Sequence, residues 1–77
     1  MNIETYIDIV NTSGELLTQN TLENLYHKLD TITSEQMVEL RNNVAILTQA
    51  QRIENESIKN MVTNDVKNKI EQMVSQL

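Results

Sequence analysis

The segment Ile32-Thr33-Ser34-Glu35-Gln36-Met37 opens a stretch, residues 33–77, that contains no glycine and no proline. The segment has the pattern of a helix start: the Thr33 hydroxyl can cap the helix, and Gln36 can reach back to the Thr33 N–H. Ile32 and Met37 flank this cap as a hydrophobic staple. Because no helix-breaking residue follows, the sequence predicts one continuous helix to the last residue.

A continuous helix of this length conflicts with a compact fold. It would be about 66 Å long at about 1.5 Å per residue, whereas a compact domain of 77 residues has a radius of gyration of about 11–12 Å. The conflict predicts a chain that assembles with other copies. The alternative is a break near Asn55 or near Thr63-Asn64, where a polar side chain could cap a second helix.

An apolar stripe runs along the predicted helix with a mean spacing of about 3.6 residues. A heptad seam needs about 3.5, so the spacing favours nearly straight packed helices over a long zipper. The stripe is polar at Gln51 and Glu54, which suggests that its first half packs within the protomer and its second half against another copy. The predicted oligomer interface consists of Ile58, Val62, Val66, Ile70, Met73 and Leu77.

Residues 1–32 are predicted to form an acidic region of two short helices, in one structural domain with the long helix over 33–77. Residues 3–10 also fit a strand, but helix is favoured because the chain offers no second strand to pair with it. Gly14 ends the first helix or forms the turn after it. The second helix has two candidate caps, Thr12 and Asn20.

The short connection between the second helix and the long one predicts an antiparallel hairpin. Its packing residues are expected to be mostly aliphatic, since the chain has no Phe or Trp. They are Leu22, Leu25, Tyr26 and Leu29 on the second helix, and Met37, Leu40, Val44 and Leu47 on the long helix. The predicted fold class is therefore all-α: a helical hairpin whose long C-terminal helix oligomerises in a bundle or coiled coil.

The net charge of −5 is unevenly distributed along the chain. Residues 1–39 contain seven acids and one lysine, whereas residues 40–77 contain five bases and four acids. Nucleic-acid binding needs clustered bases, so a nucleic acid is not expected as a partner. The acidic region favours a basic partner or the C-terminal half of another copy. No apolar run is long enough to span a membrane, so a membrane is not expected either.

Few residues have the chemistry of a catalytic or metal site. Cysteine is absent, and His27, with Glu23 four residues before it, is the only histidine. Because this is a poor ligand set for zinc, we expect an ordinary solvated helix face at His27, with no metal, no cofactor and no enzymatic activity.

The sequence thus predicts a non-enzymatic oligomeric interaction protein that binds itself and another protein, as an assembly chaperone, adaptor, scaffold or small inhibitor. Ten asparagines beside two alanines are typical of AT-rich genomes, including those of many bacteriophages. The start of the chain lacks the basic segment of a signal peptide, so the expected location is the cytoplasm, that of the host if a phage encodes the protein.

Two alternative functions stay open. One is a small nucleic-acid-associated transcriptional regulator, which requires the long helix to break into shorter ones. The other is an oligomer that binds a small ligand between subunits near the polar residues Gln51, Glu54 and Asn55. A register-setting polar layer would explain the same three residues without a ligand.

Overall fold

The computed structural model describes residues 2–77, apart from the side chain of Asn2, and the regular structure of these residues is entirely helical. The helices are α1 (Asn2–Ser13), α2 (Gln19–His27), α3 (Ser34–Ala50) and α4 (Glu56–Ser75). The Cα radius of gyration is 12.3 Å, close to the value for a compact domain of this length. The predicted all-α class is confirmed.

The continuous helix predicted from residue 33 to the end of the chain is corrected by the structure. The chain leaves the helix at residues 51–55, between α3 and α4. α3 ends in a tight turn, in which the Arg52 N–H donates to the Gln49 carbonyl over 3.0 Å. Asn55 then caps α4, its side-chain oxygen accepting from the Ile58 N–H over 3.0 Å. The break lies at one of the two alternative positions, near Asn55.

Burial explains why the chain folds back. The turn packs α4 against α3 and places its apolar side chains in the common core, where Ile70 is 0% exposed and Val74 is 2% exposed. A single straight helix would leave both side chains in water, and burying each contributes about 1.5–3 kcal/mol. The two new helix ends cost little because the Asn55 cap satisfies part of the freed backbone.

The start of α3 forms as the sequence predicts. The Thr33 hydroxyl oxygen accepts from the Gln36 N–H over 3.1 Å, and the Gln36 side-chain oxygen accepts from the Thr33 N–H over 2.9 Å. Ile32 and Met37 are both buried in the core. This end of the helix is therefore defined by local sequence and by burial together.

The helical alternative for residues 3–10 is also the one observed, since α1 covers them. Gly14 follows α1 with a φ of +54°, and its N–H donates to the Val10 carbonyl over 3.1 Å. α2, however, starts at neither predicted cap. Its cap is Thr18, whose hydroxyl accepts from the Thr21 N–H. The preceding residue, Leu17, is buried in the core, and the helix begins after this point of burial.

The helices pack in a ring in the order α1, α3, α4, α2, so that α2 lies diagonally across the core from α3. The predicted hairpin between α2 and α3 is therefore not formed. Instead, α4 packs against both α2 and α3. This part of the chain was predicted to contact another copy. The antiparallel hairpin of this fold is the one between α3 and α4.

One core lies inside this ring. Of the eight residues expected to pack in the hairpin, seven lie in this core or against it, and Tyr26 is the exposed exception. The buried apolar residues are Ile9, Leu17, Leu25, Ile32, Met37, Leu40, Val44, Leu47, Ile70 and Val74, and the partly buried ones include Tyr6, Leu16, Leu22, Leu29, Val66, Met73 and Leu77.

Candidate interaction surfaces

The fold divides the six residues predicted to form an oligomer interface. Ile70 is fully buried inside the protomer, and three others pack partly buried against the core: Val66, Met73 and Leu77. Ile58 is 47% exposed, and Val62 is half-buried. Of the predicted interface, only the N-terminal end, Ile58 and in part Val62, therefore faces outward in a single protomer.

Two side-chain contacts define the register of α3 against α4. The Asn43 amide nitrogen lies 3.7 Å from the Met73 sulfur, and the Gln51 amide nitrogen donates to the Thr63 hydroxyl over 3.0 Å. Gln51 directly follows the last residue of α3, so Thr63 marks the level at which α3 ends. Residues 56–62 of α4 therefore lie beside the connection 51–55 rather than beside α3.

α2 covers the opposite half of α4. Between the two helices lies an open polar cleft of about 660 Å³. The residues of α4 that line the cleft all lie between positions 68 and 75, and no earlier residue of α4 lines it. The lining consists of Thr18, Asn20, Thr21, Asn24, Asn68, Glu71, Gln72, Val74 and Ser75. None of the residues that line this cleft belongs to the first two turns of α4.

These first two turns carry an apolar surface, which we call the α4 tip: Ile58, Met61 and Val62. Met61 is 59% exposed, and it lies three residues after Ile58. Residues three and four apart are neighbours on a helix surface, so the three side chains are contiguous. At the edge of the tip, Lys59 forms an ion pair with Glu56 over 3.2 Å.

A second apolar surface lies where α1 meets α2. The rings of Tyr6 and Tyr26 are 5.5 Å apart between centroids, with their planes tilted by 58°. The Tyr6 hydroxyl donates to the Leu22 carbonyl over 3.3 Å. This bond fixes the Tyr6 ring between the two helices, where it supports the more exposed Tyr26.

Ile3 and Ile7 extend this aromatic pair along α1. Ile3 lies three residues before Tyr6 and four before Ile7, so it is next to both on the helix surface. Ile7 is 52% exposed and Tyr26 is 54% exposed. We call the surface formed by Ile3, Tyr6, Ile7 and Tyr26 the α1–α2 face. It combines side chains of two helices, unlike the α4 tip.

Acidic residues border the α1–α2 face. Glu4 precedes Ile7 by one helical turn, and Glu23 precedes Tyr26 by one turn. Residues 2–27 contain four acids and no lysine or arginine. Asp8 points elsewhere, since its carboxylate lies 3.8 Å from the Arg41 guanidinium of α3. The face is therefore apolar at its centre and negative at its margins.

The other exposed large apolar side chains do not form a comparable surface. Val38 and Ile46 lie on the outer side of α3, eight residues apart, with the exposed Asn42 between them. Single exposed apolar residues of this kind are normal on protein surfaces. Val38 is therefore a suitable control position for substitutions at the other surfaces.

The polar interruption of the stripe has a structural explanation. Gln51 donates to the Leu47 carbonyl and to Thr63, and Asn55 caps α4. These two side chains stabilise the turn between the helices rather than lie inside a polar layer.

Among residues 2–77, no three His, Asp or Glu side chains come close enough together to hold a metal ion. His27 is exposed and packs edge-on against Tyr26, with ring centroids 6.0 Å apart. In the described part of the chain, no helix is both long and apolar enough to cross a membrane.

Ile3 and Ile7 were not predicted to form an interaction surface, and Met61 was not among the residues of the predicted oligomer interface. The sequence did contain a signal for Ile3 and Ile7, since α1 carries more apolar residues than one core-facing stripe needs. In the structure, Ile9 is the one apolar residue of α1 that lies fully in the core. Met61 lies one turn after Ile58 and off the main stripe. Its exposure depends on where α3 ends, which the sequence pattern does not indicate.

The fold defines the chain as a small all-α protein of four helices over the residues described. No protein-family model, curated protein sequence or solved structure matches it.

Proposed function

We propose that the protein is a non-enzymatic helical interaction module that associates with itself through the α4 tip and binds another protein. The observation that supports this proposal is the position of the tip. Ile58 and Met61 lie beyond the end of α3, are about half exposed, and form a continuous surface with Val62. Contiguous exposed apolar surface, unlike apolar side chains exposed singly, is a feature of interaction sites.

The tip has the spacing of a helix–helix contact. Its residues recur at intervals of three and four, the pattern that packs one helix against another in bundles and coiled coils. Two copies joined by three such side chains each would bury less than the roughly 1,600 Å² of a standard stable interface. The expected self-association is therefore weak and depends on protein concentration.

An adaptor, assembly chaperone, scaffold or small inhibitor would use such surfaces to hold other proteins. The cytoplasm, of the host if a phage encodes the chain, is the proposed location. The asparagine-rich, alanine-poor composition supports the phage assignment by association.

The molar mass in solution tests self-association. Light scattering from micromolar to millimolar protein is expected to show a mass that rises above that of one chain. Ile58→Asp and Met61→Asp should return the mass to that of the monomer. Val38→Asp is the matched control, since Val38 is 56% exposed on α3 and outside the tip. A monomeric mass over the whole range would refute the self-association.

The nucleic-acid alternative has one observation in its favour, since the break between α3 and α4 that it requires is present. The charge of α4 weighs against it. Three lysines are balanced there by Glu56, Asp65 and Glu71, so the helix has no net positive charge to displace counterions from a phosphate backbone. A salt-dependent gel shift at low salt would revive this alternative.

A further inference from the structure

We propose that the α1–α2 face is the docking site for a basic amphipathic helix of another protein. This inference rests on the proposed function, because it names the kind of partner that the interaction module binds. The partner helix would carry an apolar stripe against Ile3, Ile7 and Tyr26, with lysine or arginine on both sides of the stripe.

The shape of the face supports a helix as the occupant. Two helices meet there, and the Tyr6 and Tyr26 rings, 5.5 Å apart, lie at their junction. A helix that lies in such a junction uses anchors three, four and seven residues apart. Tyrosine suits this role because it offers a large rigid contact area, and tyrosines are enriched among the residues that dominate binding energy.

The Tyr6 side chain is already held in place before any partner binds. Its hydroxyl donates to the Leu22 carbonyl of α2 over 3.3 Å, and its ring packs partly buried against the core. Little side-chain entropy would therefore be lost at this position on docking. The Tyr26 ring contacts both this Tyr6 ring and the His27 ring.

The charges of the face support a basic occupant. Glu4 and Glu23 lie on its two margins, one on each helix, and residues 2–27 contain no lysine or arginine. Basic side chains flanking an apolar stripe would meet a carboxylate on either side, which favours association and selects against acidic helices.

A second copy of this chain fits the face less well. α4, the helix with the exposed apolar tip, carries three lysines and three acids, and Lys59 at the tip is already paired with Glu56. A helix with balanced charge gains little from the acidic margins. The charge complementarity therefore favours a different protein.

Fluorescence anisotropy with a labelled synthetic helix tests the proposal. The probe is a peptide of about five helical turns, made of leucine and lysine, with leucine on one face. The first control peptide has the same composition in an order that destroys the stripe, and the second has glutamate in place of lysine. Saturable binding is expected for the probe alone.

Variants of the protein locate the binding. Ile7→Ser and Tyr26→Ser are each expected to weaken probe binding by about tenfold or more, the usual effect at the centre of an interface. Val38→Ser is the matched control on α3 and should leave binding unchanged. Circular dichroism and the denaturation midpoint establish that each variant is folded as the parent is.

The acidic margins are tested with substitutions that remove the negative charge of a side chain and keep its size. Glu4→Gln and Glu23→Gln are each expected to weaken binding several-fold and to reduce its dependence on salt. Asp8→Asn removes the same charge from the same region but away from the face, towards Arg41. It should change binding by less than either glutamine variant.

The proposal is overturned if the probe and the reordered peptide bind equally, or if the face variants bind the probe as the parent does. It is also overturned if Ile7→Ser, rather than Ile58→Asp, converts an oligomer into a monomer, because the occupant would then be a second copy. The mass measurement on the α4 tip variants is independent of the probe, so self-association can fail while this inference stands, and the reverse.

Discussion

Gln51, the first residue after α3, donates from its side-chain amide to the Thr63 hydroxyl of α4 over 3.0 Å. The same amide donates to the Leu47 carbonyl over 3.1 Å. One side chain thus closes the end of α3 and attaches it to α4. The contact lies between residues 12 apart, so it forms only when the chain has turned back.

Thr63→Val tests this contact. The substitution keeps the branched shape of the side chain and removes the acceptor, so the free energy of unfolding should fall by about 1 kcal/mol. Thr63→Ser keeps the hydroxyl and is expected to cost less in urea denaturation. In a Gln51→Ala background the cost of Thr63→Val should shrink, and an unchanged cost there would show that the two side chains are not coupled.

Asn55→Ala removes the cap of α4. The loss of the bond from the Ile58 N–H should lower the free energy of unfolding by about 0.5–2 kcal/mol. Asn55→Asp retains an acceptor and should be nearly neutral. Asn60→Ala, an exposed asparagine inside the same helix, is the control and should not destabilise, because alanine is the better helix former. Equal effects at both positions would contradict the assignment of the cap.

The two isoleucines at opposite ends of α4 should behave differently. Ile70→Ala is expected to cost about 2–5 kcal/mol of folding stability, since the side chain has no exposed surface and its truncation leaves a cavity. Ile58→Ala should change the stability of the monomer by less than about 0.5 kcal/mol. Denaturation at a concentration where the protein is monomeric compares them, and similar losses would be inconsistent with this fold.

Gly14→Ala tests the turn after α1. The backbone there has a φ of +54°, and an added Cβ would meet no atom within 4 Å. Any loss is therefore due to backbone conformation rather than to a clash, and should be about 1–2 kcal/mol in thermal denaturation. Gly14→Asn should cost less, since asparagine tolerates this region better. A larger loss for asparagine than for alanine would argue against the left-handed conformation.

The features that the sequence predicts well are local ones. The Thr33 cap with Gln36, the turn at Gly14 and the helical pattern of residues 3–10 all depend on residues a few positions apart, and all are present. Thr18, by contrast, became the cap of α2 because Leu17 was drawn into the core. That choice depends on distant residues, so local pattern could not select it.

The break at residues 51–55 shows a different limit. The polar positions Gln51 and Glu54 and the potential cap at Asn55 were visible, but the absence of glycine and proline favoured continuity. What decides between a continuous helix and a broken one is the burial of Ile70 and Val74 in the common core, which brings together distant parts of the chain. This packing also explains the exposure of Ile58. With α4 packed against α3, the part of α4 that lies beyond the end of α3 is left uncovered, and Ile58 is in that part.

The connection 51–55 allows α4 to pack in the core in a second way, as part of another copy of the chain. None of the connection's residues is excluded from a helix, so it can straighten, at the loss of the turn, the Asn55 cap, the Gln51–Thr63 bond and the packing of α4 in its own core. Two straightened chains could exchange their α4 helices, each burying its Ile70 in the other's core, which is the arrangement known as domain swapping. In dilute solution the connection 51–55 keeps α4 close to the α3 of its own chain. A high protein concentration would favour the exchange between chains.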